Sequence, residues 1–403
     1  MNVLYGTPYV PSPIRTRPYN LIRALLRLGH KITLLTAAGT SNQEHEWASE
    51  LRDWGAGVEV FAVSLARSLF NCLRALPTRK PLQAAYAYHP VMERRLRELI
   101  RRESFDVVHI EHLRAARHVG AVTEIPVVYD SVDCISLLFE QAARSSPEWR
   151  YRLMTALDLR RTRSYEAWLQ TQCDQVVVTS ARDREALEDL ASRYLPADAR
   201  PAPISVVTNG VDLDYFQPAG PSSQRDDRTV VFTGKMSYHA NVAAALYFAK
   251  VVLPLIWARD PDVRFQIVGK DPPEPVQKLA GDRRIEVTGY VDDLRPYLSR
   301  ATVAVCPALY AVGIQNKVLE AMAMGTPVVS TAAGCAALDV TGDEEILIAA
   351  EERQLAASVL RLISEPALAN RLSMAARQYV EARHSWRSSA HCLTLVYEEA
   401  RLA

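Results

Sequence analysis

Short apolar runs of strand length alternate with segments of helical spacing through most of the chain. Pro18–Gly29 (PYNLIRALLRLG) is one such helical segment, because its apolar residues recur at helical spacing and a glycine ends it. Strands separated by helices form parallel sheets with helices on both faces, so we predict an α/β fold of doubly wound parallel sheets. In the first half the candidate strands are Asn2–Leu4, Lys31–Thr36, Val58–Val63, Val107–Ile110, Pro126–Asp130 and Gln175–Thr179.

One segment interrupts this alternation. Asp214–Arg228 (DYFQPAGPSSQRDDR) contains two prolines, a glycine, serines and charged residues without periodicity, as linkers do. The alternation restarts after it, and the further candidate strands are Val230–Thr233, Val263–Val268, Ile285–Thr288, Val303–Cys306, Pro327–Ser330 and Ile346–Ile348.

A chain of 403 residues is longer than one hydrophobic core usually serves. We therefore predict a first wound domain at residues 1–213, a linker at 214–228 and a second wound domain at 229–385. A C-terminal helix at 386–403 is predicted to cross back to the first domain. Two wound domains in tandem place the ligand cleft between them, at the carboxyl ends of the strands.

Composition narrows the class of protein. The formal net charge of +1 gives no support to nucleic-acid binding. Six cysteines are scattered without a CxxC pair, which favours reduced thiols in a reducing compartment. The first residues, MNVLYGTPYV, enter a strand-like run directly, unlike a signal peptide, and no apolar stretch reaches about 18 residues. We predict a cytoplasmic protein that does not span a membrane.

The segment Gly313–Thr331 (GIQNKVLEAMAMGTPVVST) has the pattern of a glycine loop, a short helix and a buried strand. A loop that enters a helix presents backbone N–H groups to an anion. Asn316 and Glu320 share one face of the helix, and Lys317 precedes Glu320 by three positions. Two interpretations stay open from spacing alone: a Lys317–Glu320 surface ion pair worth about 0.2–0.5 kcal/mol, or a pair that holds a ligand.

LEAMAMGTPVVST resembles the donor-binding helix of the GT-B glycosyltransferases, in particular retaining family 4 (glycosyl transferases group 1). VVTNGVDLDYF at Val206–Phe216 is similar to the family's signature at the end of its first domain, and VVFTGK at Val230–Lys235 to its phosphate-binding turn. FQIVGK and IEVTGY resemble its next two strands, while GIQNK and ALPTRKPLQAAY resemble its bacterial exopolysaccharide and exosortase-associated subgroup. The resemblance implies two Rossmann-like domains facing each other across a cleft, the first binding the acceptor and the second the nucleotide sugar.

The resemblance also implies roles for single residues. Glu320 would accept hydrogen bonds from both ribose hydroxyls of a nucleotide. Lys235, next to Gly234, would neutralise charge that develops on the diphosphate leaving group. The diphosphate would also lie near Gly313, Ile314, Gln315, Asn316 and Lys317, and the nucleobase near the turn Gly289, Tyr290 and Val291.

The chain departs from the family pattern at two donor-side positions. Val312 stands where the family usually has a second glutamate, and Asn241 where it has a second cation. Gln315 and Asn316 are the candidates to replace the missing acid by hydrogen bonding. The resemblance implies that the GIQNK subgroup lacks that acid generally, so Val312 does not imply an inactive enzyme.

Three candidate positions lie in the first domain. Arg15 and Arg17 stand in a loop where the family usually has adjacent glycines, and arginine binds phosphate through paired N–H groups. His112 ends a strand that should face the cleft, and Val132 replaces a histidine of the family. Asp133 is then the candidate to orient the acceptor or accept its proton, and a capping role at a turn is the alternative.

No metal site is predicted. His109 and His112 form an HxxH pattern, but no third ligand stands near them in the sequence. Asp212–Asp214 spells DxD, which we interpret as turn chemistry at the domain junction.

Residues 64–103 carry many arginines beside apolar residues. Two interpretations stay open for this segment. It forms a basic amphipathic surface that contacts the anionic inner face of the plasma membrane, where lipid-linked acceptors are found, or helices with solvated arginine faces.

The resemblance implies transfer of a sugar from a UDP- or GDP-linked donor to a hydroxyl of a glycan or lipid-linked acceptor. It implies retention of configuration, bacterial polysaccharide or glycoconjugate synthesis, and no cofactor. Two alternatives stay open: a nucleotide-sugar 2-epimerase of the same fold, and a non-catalytic nucleotide-binding subunit of an export complex.

Overall fold

The computed structural model describes residues 1–38, 42–78, 80–145, 149–218, 225–226, 228–311 and 313–402. The chain divides into two compact units. The first comprises Met1–Glu140, Met154–Asn209 and Trp386–Ala403, and the second comprises Gln141–Leu153 and Gly210–Ser385. The C-terminal segment therefore groups with the first unit, and the change from one unit to the other falls at residue 209 rather than at 213.

Each unit contains one parallel sheet, which confirms the predicted fold class. In the first unit the strands run in the order β3-β2-β1-β4-β5-β6-β7, and in the second in the order β10-β9-β8-β11-β12-β13. Within the described residues the strands are β1 (Asn2–Thr7), β2 (Lys31–Ala38), β3 (Gly57–Ala62), β4 (Val107–Glu111), β5 (Val127–Val132), β6 (Gln175–Val178), β7 (Ile204–Val206), β8 (Thr229–Thr233), β9 (Arg264–Val268), β10 (Ile285–Gly289), β11 (Val303–Cys306), β12 (Val328–Thr331) and β13 (Leu347–Ala349). All twelve predicted strands are present, and the prediction missed the three-residue edge strand β7.

Helices connect these strands. Those of the first unit and its boundary are α1 (Thr16–Arg27), α2 (Asn42–Asp53), α3 (Leu65–Ala75), α4 (Leu82–Tyr86), α5 (Pro90–Arg102), α6 (Ile135–Ser145), α7 (Trp149–Leu169) and α8 (Ala181–Tyr194). Those of the second are α9 (His239–Tyr247), α10 (Leu253–Trp257), α11 (Glu274–Gln277), α12 (Arg295–Arg300), α13 (Asn316–Ala323), α14 (Ala332–Cys335), α15 (Glu352–Ser364) and α16 (Pro366–Arg383). The last helix is α17 (Trp386–Leu402). Short 3₁₀ segments lie at Ala116–Ala121 and Lys278–Gly281.

Helix α17 completes the core on one face of the first sheet. Its buried residues Trp386, Leu393 and Tyr397 join a cluster with Tyr5 of β1 and Leu21 of α1. The opposite face of this sheet packs against α5, α8 and the segments that precede these two helices. Because apolar burial on both faces stabilises a parallel sheet, α17 supplies surface that the first 213 residues do not provide by themselves.

The strand order places one topological switch point in each unit. In the first unit, β1 lies between β2 and β4, so the connections leave β1 and β4 in opposite directions across the sheet. In the second, β8 and β11 are neighbours in the same way. Loops diverge at the carboxyl ends of such strand pairs, and ligands of doubly wound sheets bind in the crevice that this divergence opens.

The predicted linker is ordered in its described parts. The Asp212 carboxylate accepts hydrogen bonds from the backbone N–H groups of Asp214 and Tyr215, both at 3.1 Å, which confirms that DxD forms a turn. Arg225 donates to the carbonyls of Ala301 (2.8 Å) and Gly325 (2.5 Å). Hydrogen bonds therefore hold these described residues within the second unit, and residues 219–224 and 227 lie outside the described part of the chain.

One helical stretch of the second unit meets the criteria for a membrane span. His239–Trp257, which includes α9, a π-helical turn at Phe248–Val252 and α10, is long and apolar enough to cross a bilayer. The prediction that no such stretch exists was wrong. Of this stretch 61 % is buried inside the protein, and Ala245, Phe248 and Leu253 belong to the main core of the second unit. A mostly buried core helix also meets these criteria of length and composition.

All six cysteines are free thiols, and Cys392 is exposed.

The turns that follow β8 and β9 touch backbone to backbone. A Cβ atom added to Gly269 would lie 1.8 Å from the carbonyl oxygen of Gly234, and the φ of Gly269 is +151°. We predict that Gly269→Ala destabilises the protein by at least about 2 kcal/mol, because the added methyl group forces the two turns apart. Urea denaturation followed by circular dichroism measures this.

Gly281→Ala is the matched control, because a Cβ at Gly281 meets no atom within 4 Å. This variant should change the free energy of unfolding by less than about 1 kcal/mol. Equal losses in the two variants would refute the role of the close approach.

Candidate functional site

Three elements of the second unit converge at the carboxyl ends of β8 and β11. A Cβ atom on Gly234, after β8, would lie 2.8 Å from Nδ2 of Asn241 in α9 and 3.3 Å from Cε of Lys317 in α13. Only a glycine leaves room for this approach. The predicted residues Gly234 and Lys317, which are 83 positions apart in the sequence, are therefore neighbours at the switch point.

Asn241 orders the turn that carries Lys235. Its side-chain N–H donates to the carbonyl of Lys235 at 3.0 Å, and the N–H of Met236 donates to the carbonyl of Lys270 at 2.9 Å. The Lys235 side chain is exposed beyond this fixed backbone. Asn241, where the family has a second cation, thus fixes the backbone that positions the first.

Lys317 and Glu320 do not form the surface ion pair that their spacing allowed. Among the described residues no nitrogen of Lys317 lies within 4.0 Å of the Glu320 carboxylate; Lys317 Nζ instead donates to Oε1 of Gln315 at 2.9 Å. The ammonium group lies 5.8 Å from the ring centroid of Phe232. Lys317 therefore points back toward the start of α13, where the positive end of the helix dipole lies.

The carboxylate of Glu320 sits in a poorly solvated place although its side chain is partly exposed. Burial raises its pKa to about 7, and the nearby charge of Lys317 acts in the opposite direction. A desolvated carboxylate gains most from donors that a ligand brings, such as hydroxyl groups. Lys317 bonds Gln315 rather than Glu320, so these opposite charges on α13 do not pair directly with each other.

The turn after β10 is connected to this place through backbone hydrogen bonds. The N–H of Gly269 donates to the carbonyl of Gly289 at 3.1 Å, and the N–H of Gly234 to the carbonyl of Val268 at 3.0 Å. Tyr290, which follows Gly289, exposes 55 % of its surface. Gly289, Tyr290 and Val291 thus lie at the same edge of the sheet as Gly234, two strands away.

Gly313 has a φ of +60° and precedes α13, and Ile314 is buried in the core below. Gln315 and Asn316 stand at the start of α13 as predicted. Val312, the departure from the family pattern, lies outside the described residues.

The sequence analysis missed one polar pair at this edge. Nδ1 of His239, the first residue of α9, lies 2.8 Å from the hydroxyl of Tyr310 in the loop after β11. The rings stack with centroids 5.6 Å apart, and burial lowers the pKa of His239 to about 4. His239 is therefore neutral at neutral pH. The position of His239 in the sequence, four residues after Lys235, was the signal that could have identified it.

In the first unit, a buried ion pair lies at the carboxyl end of β5. The guanidinium of Arg17 donates from Nε (2.9 Å) and Nη2 (2.7 Å) to the carboxylate of Asp130. Its Nη1 donates to the carbonyl of Val207 (3.0 Å) and the side chain of Asn209 (2.9 Å). Arg17 is 4 % exposed and Asp130 is fully buried. The prediction that Arg17 binds a phosphate is not supported, because its donors are occupied within the unit.

Asp130 also holds a strained turn. Its second oxygen accepts a hydrogen bond from the N–H of Val132 at 2.9 Å, and Val132 has a φ of +66°. A β-branched residue at positive φ costs about 1–3 kcal/mol, so the surrounding contacts must enforce it. The turn presents Asp133 at the end of the strand.

Asp133 has the electrostatic surroundings of a proton acceptor. Its carboxylate accepts a hydrogen bond from the hydroxyl of Thr179 at 3.2 Å. Burial and the negative charge of Asp183 raise the pKa of Asp133 to about 7, and Asp133 itself is partly exposed. A carboxyl group that titrates near neutrality is suited to general-base chemistry.

His109 and His112 do not act together. His112 has a φ of +72°, and its Nδ1 accepts a hydrogen bond from the N–H of Arg114. Burial lowers the pKa of His112 to about 3. Beside it, Arg15 lies 4.2 Å from the ring centroid of Tyr9 and 3.6 Å from the carboxylate of Glu44. Arg15 and His112 thus share the edge where β1 and β4 diverge.

His109 belongs instead to a buried polar cluster. Nδ1 of His109 pairs with the hydroxyl of Tyr397 at 2.9 Å, and Glu111 accepts a hydrogen bond from Tyr5 at 2.7 Å. Ligand atoms of His109, Glu111 and Asp130 lie within 4.8 Å of one another. The guanidinium of Arg17 already supplies the positive charge at Asp130. Burial raises the pKa of Glu111 to about 8, and the charge of Asp130 acts in the same direction.

Comparison with known proteins assigns the two halves of the chain to related families. Residues 15–215 match a model described as Glycosyltransferase Family 4, and residues 227–365 match one described as Glycosyl transferases group 1. A glycogen synthase of Mycobacterium tuberculosis is 26 % identical over 411 residues, covering 98 % of this chain and 92 % of that protein.

Solved structures agree in fold. Sucrose-phosphate synthase from Thermosynechococcus elongatus superposes with a TM-score of 0.70 at 16 % identity, covering 99 % of each chain. HepE from Anabaena, in complex with UDP and glucose, gives 0.69 at 13 % identity, again over 99 % of each chain. The two matched ranges follow one another and span most of the chain. The chain therefore belongs to the glycosyltransferases, with the GT-B fold of the group 1 and family 4 enzymes.

We predict that Arg17→Met destabilises the protein by about 3–5 kcal/mol, because it leaves the carboxylate of Asp130 buried without its partner. The double variant Arg17→Met/Asp130→Leu should recover part of this loss, because it removes both charges. Chemical denaturation of the three proteins measures the difference.

Arg15→Met is the matched control for a neighbouring arginine whose side chain is 32 % exposed, and it should cost less than about 1 kcal/mol. If Arg17→Met costs no more than Arg15→Met, the ion pair does not stabilise the first unit.

Proposed function

We propose that this glycosyltransferase moves a sugar from a nucleotide diphosphate sugar, UDP-linked in the first instance, to a hydroxyl of a glycan or lipid-linked acceptor. The reaction retains the anomeric configuration and serves bacterial polysaccharide or glycoconjugate synthesis. The observation that carries the proposal is the meeting of Gly234, Lys317 and the start of α13 at the switch point of the second unit. The complex of HepE with UDP supports the choice of nucleotide.

Donor recognition rests on Glu320. Its carboxylate accepts hydrogen bonds from the two ribose hydroxyls, which replace the water that burial has removed. The turn at Gly289–Val291 faces the base, with Tyr290 as an exposed ring at this edge. The carboxylate form of Glu320 is the binding form.

Two cations and the start of α13 serve the diphosphate. Lys235 and Lys317 neutralise the charge that grows on the leaving group as the glycosidic bond breaks, and the helix N-terminus adds its dipole. Gln315 and Asn316 stand at the same helix start and hydrogen-bond the transferred sugar in place of the acid that Val312 replaces. No cofactor and no metal ion take part in this scheme.

Acceptor chemistry belongs to the first unit in this proposal. Asp133 accepts the proton of the attacking hydroxyl, and Arg15 and His112 contribute to the acceptor edge. The enzyme works in the cytoplasm and contacts the inner face of the plasma membrane.

Neither alternative is favoured. A 2-epimerase needs acid and base groups around the sugar, and Val132 occupies the usual position of one of them. A non-catalytic subunit has no need of a carboxyl group near neutral pKa at the carboxyl end of β5.

We predict that the affinity for UDP-glucose falls up to about tenfold between pH 8 and pH 6, because the Glu320 carboxyl group, with a pKa of about 7, becomes protonated. UDP-glucose is the right probe, since its diphosphate diester does not titrate in this range. Isothermal titration calorimetry at both pH values measures the dissociation constants.

Glu320→Gln should bind at least about tenfold more weakly at pH 8 and lose most of the pH dependence, because the amide does not titrate. The matched control is Glu274→Gln, whose side chain is 76 % exposed beside Lys278. If Glu320→Gln binds and titrates like the wild type, the nucleotide assignment is wrong.

We predict that Lys235→Ala lowers the kcat for release of UDP from UDP-glucose by about a hundredfold, with a smaller change in KM. The reason is that the charge neutralised by Lys235 develops mainly in the transition state. Steady-state hydrolysis with water as acceptor gives both constants.

Lys250→Ala, at an exposed lysine of the same unit, is the control and should leave both constants unchanged. An unchanged kcat in Lys235→Ala would remove this lysine from the mechanism.

A further inference from the structure

Helix α3 in the first unit has the reverse of the usual burial pattern. Its buried residues are the small Ser68 and Ala75, whereas its large apolar side chains face solvent. The exposed fractions are 66 % for Leu65, 55 % for Leu69, 57 % for Phe70, 64 % for Leu73 and 50 % for Leu76, which follows the helix. Leu65, Leu69, Leu73 and Leu76 recur at helical spacing, so they form one stripe.

This apolar face of α3, defined by the five residues above, is more than scattered surface hydrophobicity. Single exposed apolar residues are common, but a continuous stripe marks a contact with another molecule or a membrane. The helix is not distorted to expose them, since Ser64 caps its start through a hydrogen bond from the N–H of Arg67.

A basic pocket adjoins the apolar face. It measures about 730 Å³, and α3 contributes Arg67, Phe70 and Arg74 to its wall. Lys80 and Arg117 approach from the chain on the other side. No carboxylate is among the lining residues in the described part of the chain.

The four cations of this pocket are not paired with carboxylates in the described part of the chain. Within the described residues, none of Arg67, Arg74, Lys80 and Arg117 forms an ion pair with an acidic side chain within 4.0 Å. Arg117 instead lies 3.6 Å above the ring centroid of Tyr88. Partial burial and the charge of Arg117 both lower the pKa of Lys80.

The carboxylate that acts on Lys80 is itself occupied, because Glu93 pairs with Arg97 at 2.9 Å. The pocket therefore has an excess of positive charge that an anion would neutralise. An anion with apolar chains attached would satisfy the pocket and the apolar face together.

We propose that α3 docks this protein on the surface of an anionic phospholipid bilayer. The apolar face enters the boundary between headgroups and acyl chains, and the basic pocket receives the phosphate of an anionic lipid. The charge of the pocket favours a lipid surface over a second copy of this chain, since the same four cations on a second copy would repel. The inference rests on the proposed function for its purpose, which is to bring the enzyme to lipid-linked acceptors.

The test is sedimentation of the full-length protein with vesicles of phosphatidylcholine, with and without phosphatidylglycerol. We expect the protein to bind vesicles that contain phosphatidylglycerol at least about tenfold more tightly than vesicles of phosphatidylcholine alone. Added salt should weaken binding to the anionic vesicles. Glycerol 1-phosphate serves as a soluble competitor. It carries the phosphate without the acyl chains and should not release the protein from the vesicles.

Two variants separate the contributions. Leu69→Gln/Leu73→Gln removes apolar contact at exposed positions, and Arg67→Gln/Arg74→Gln removes two charges from the pocket. Each should weaken binding to anionic vesicles at least about tenfold. The control variants are Met374→Gln/Leu395→Gln, at exposed apolar positions elsewhere, and Arg184→Gln/Arg193→Gln, at exposed arginines of α8. Both should bind as the wild type does.

Three outcomes would overturn the proposal. These are wild-type affinity in both α3 variants, release by glycerol 1-phosphate alone, or a dimer that Leu69→Gln/Leu73→Gln converts to a monomer without any vesicle binding. UDP-glucose binding is measured on the same variants and should not change. A wild type that binds UDP-glucose but not anionic vesicles refutes only the docking surface, whereas a wild type that binds the vesicles but not UDP-glucose refutes only the proposed function.

Discussion

Burial of both faces of each parallel sheet is the constraint on which the rest of the structure depends. Strands β4, β6, β8 and β11 are buried along their whole length. Helices cover both faces of such a sheet, so the polar residues that end its strands are confined to the carboxyl edge. There they must pair with one another or bind a ligand, because an unpartnered polar group at a buried edge is costly.

The two units meet this constraint differently. At the edge of the first, Arg17 and Asp130 pair within the unit, and Asp130 also fixes the strained turn at Val132. At the edge of the second, Lys317 donates to Gln315 rather than to Glu320, and Glu320 has a raised pKa. Each charge of a buried ion pair compensates the other, so the pair has a structural role, whereas a carboxylate that is desolvated before any ligand arrives is a candidate for binding. This contrast supports the proposal that the nucleotide binds at the second unit and that Asp133 acts on the acceptor in the first.

Surface properties follow the same physical reasoning. The core of the second unit absorbs His239–Trp257, a stretch that is apolar enough for a membrane. Helix α3 does the reverse, since it buries Ser68 and Ala75 and exposes its leucines. Hydropathy alone ranks the first stretch as the membrane element, and only burial shows that the second has the unsatisfied apolar face.

The sequence by itself determined the alternation of strands and helices and the two wound units, because apolar periodicity and glycine positions are local signals. The residues of the donor edge came from the resemblance to the GT-B glycosyltransferases. That resemblance pointed to Gly234, Lys235, Lys317 and Glu320, whereas spacing alone favoured a surface pair for the last two. Only the tertiary structure decided that they are not paired, that Arg17 is occupied by Asp130, and that His239 meets Tyr310. The physical reason is that desolvation and side-chain pairing arise from contacts between residues that are distant in the chain. Arg17 and Asp130 are 113 positions apart, so no local sequence pattern predicts their contact.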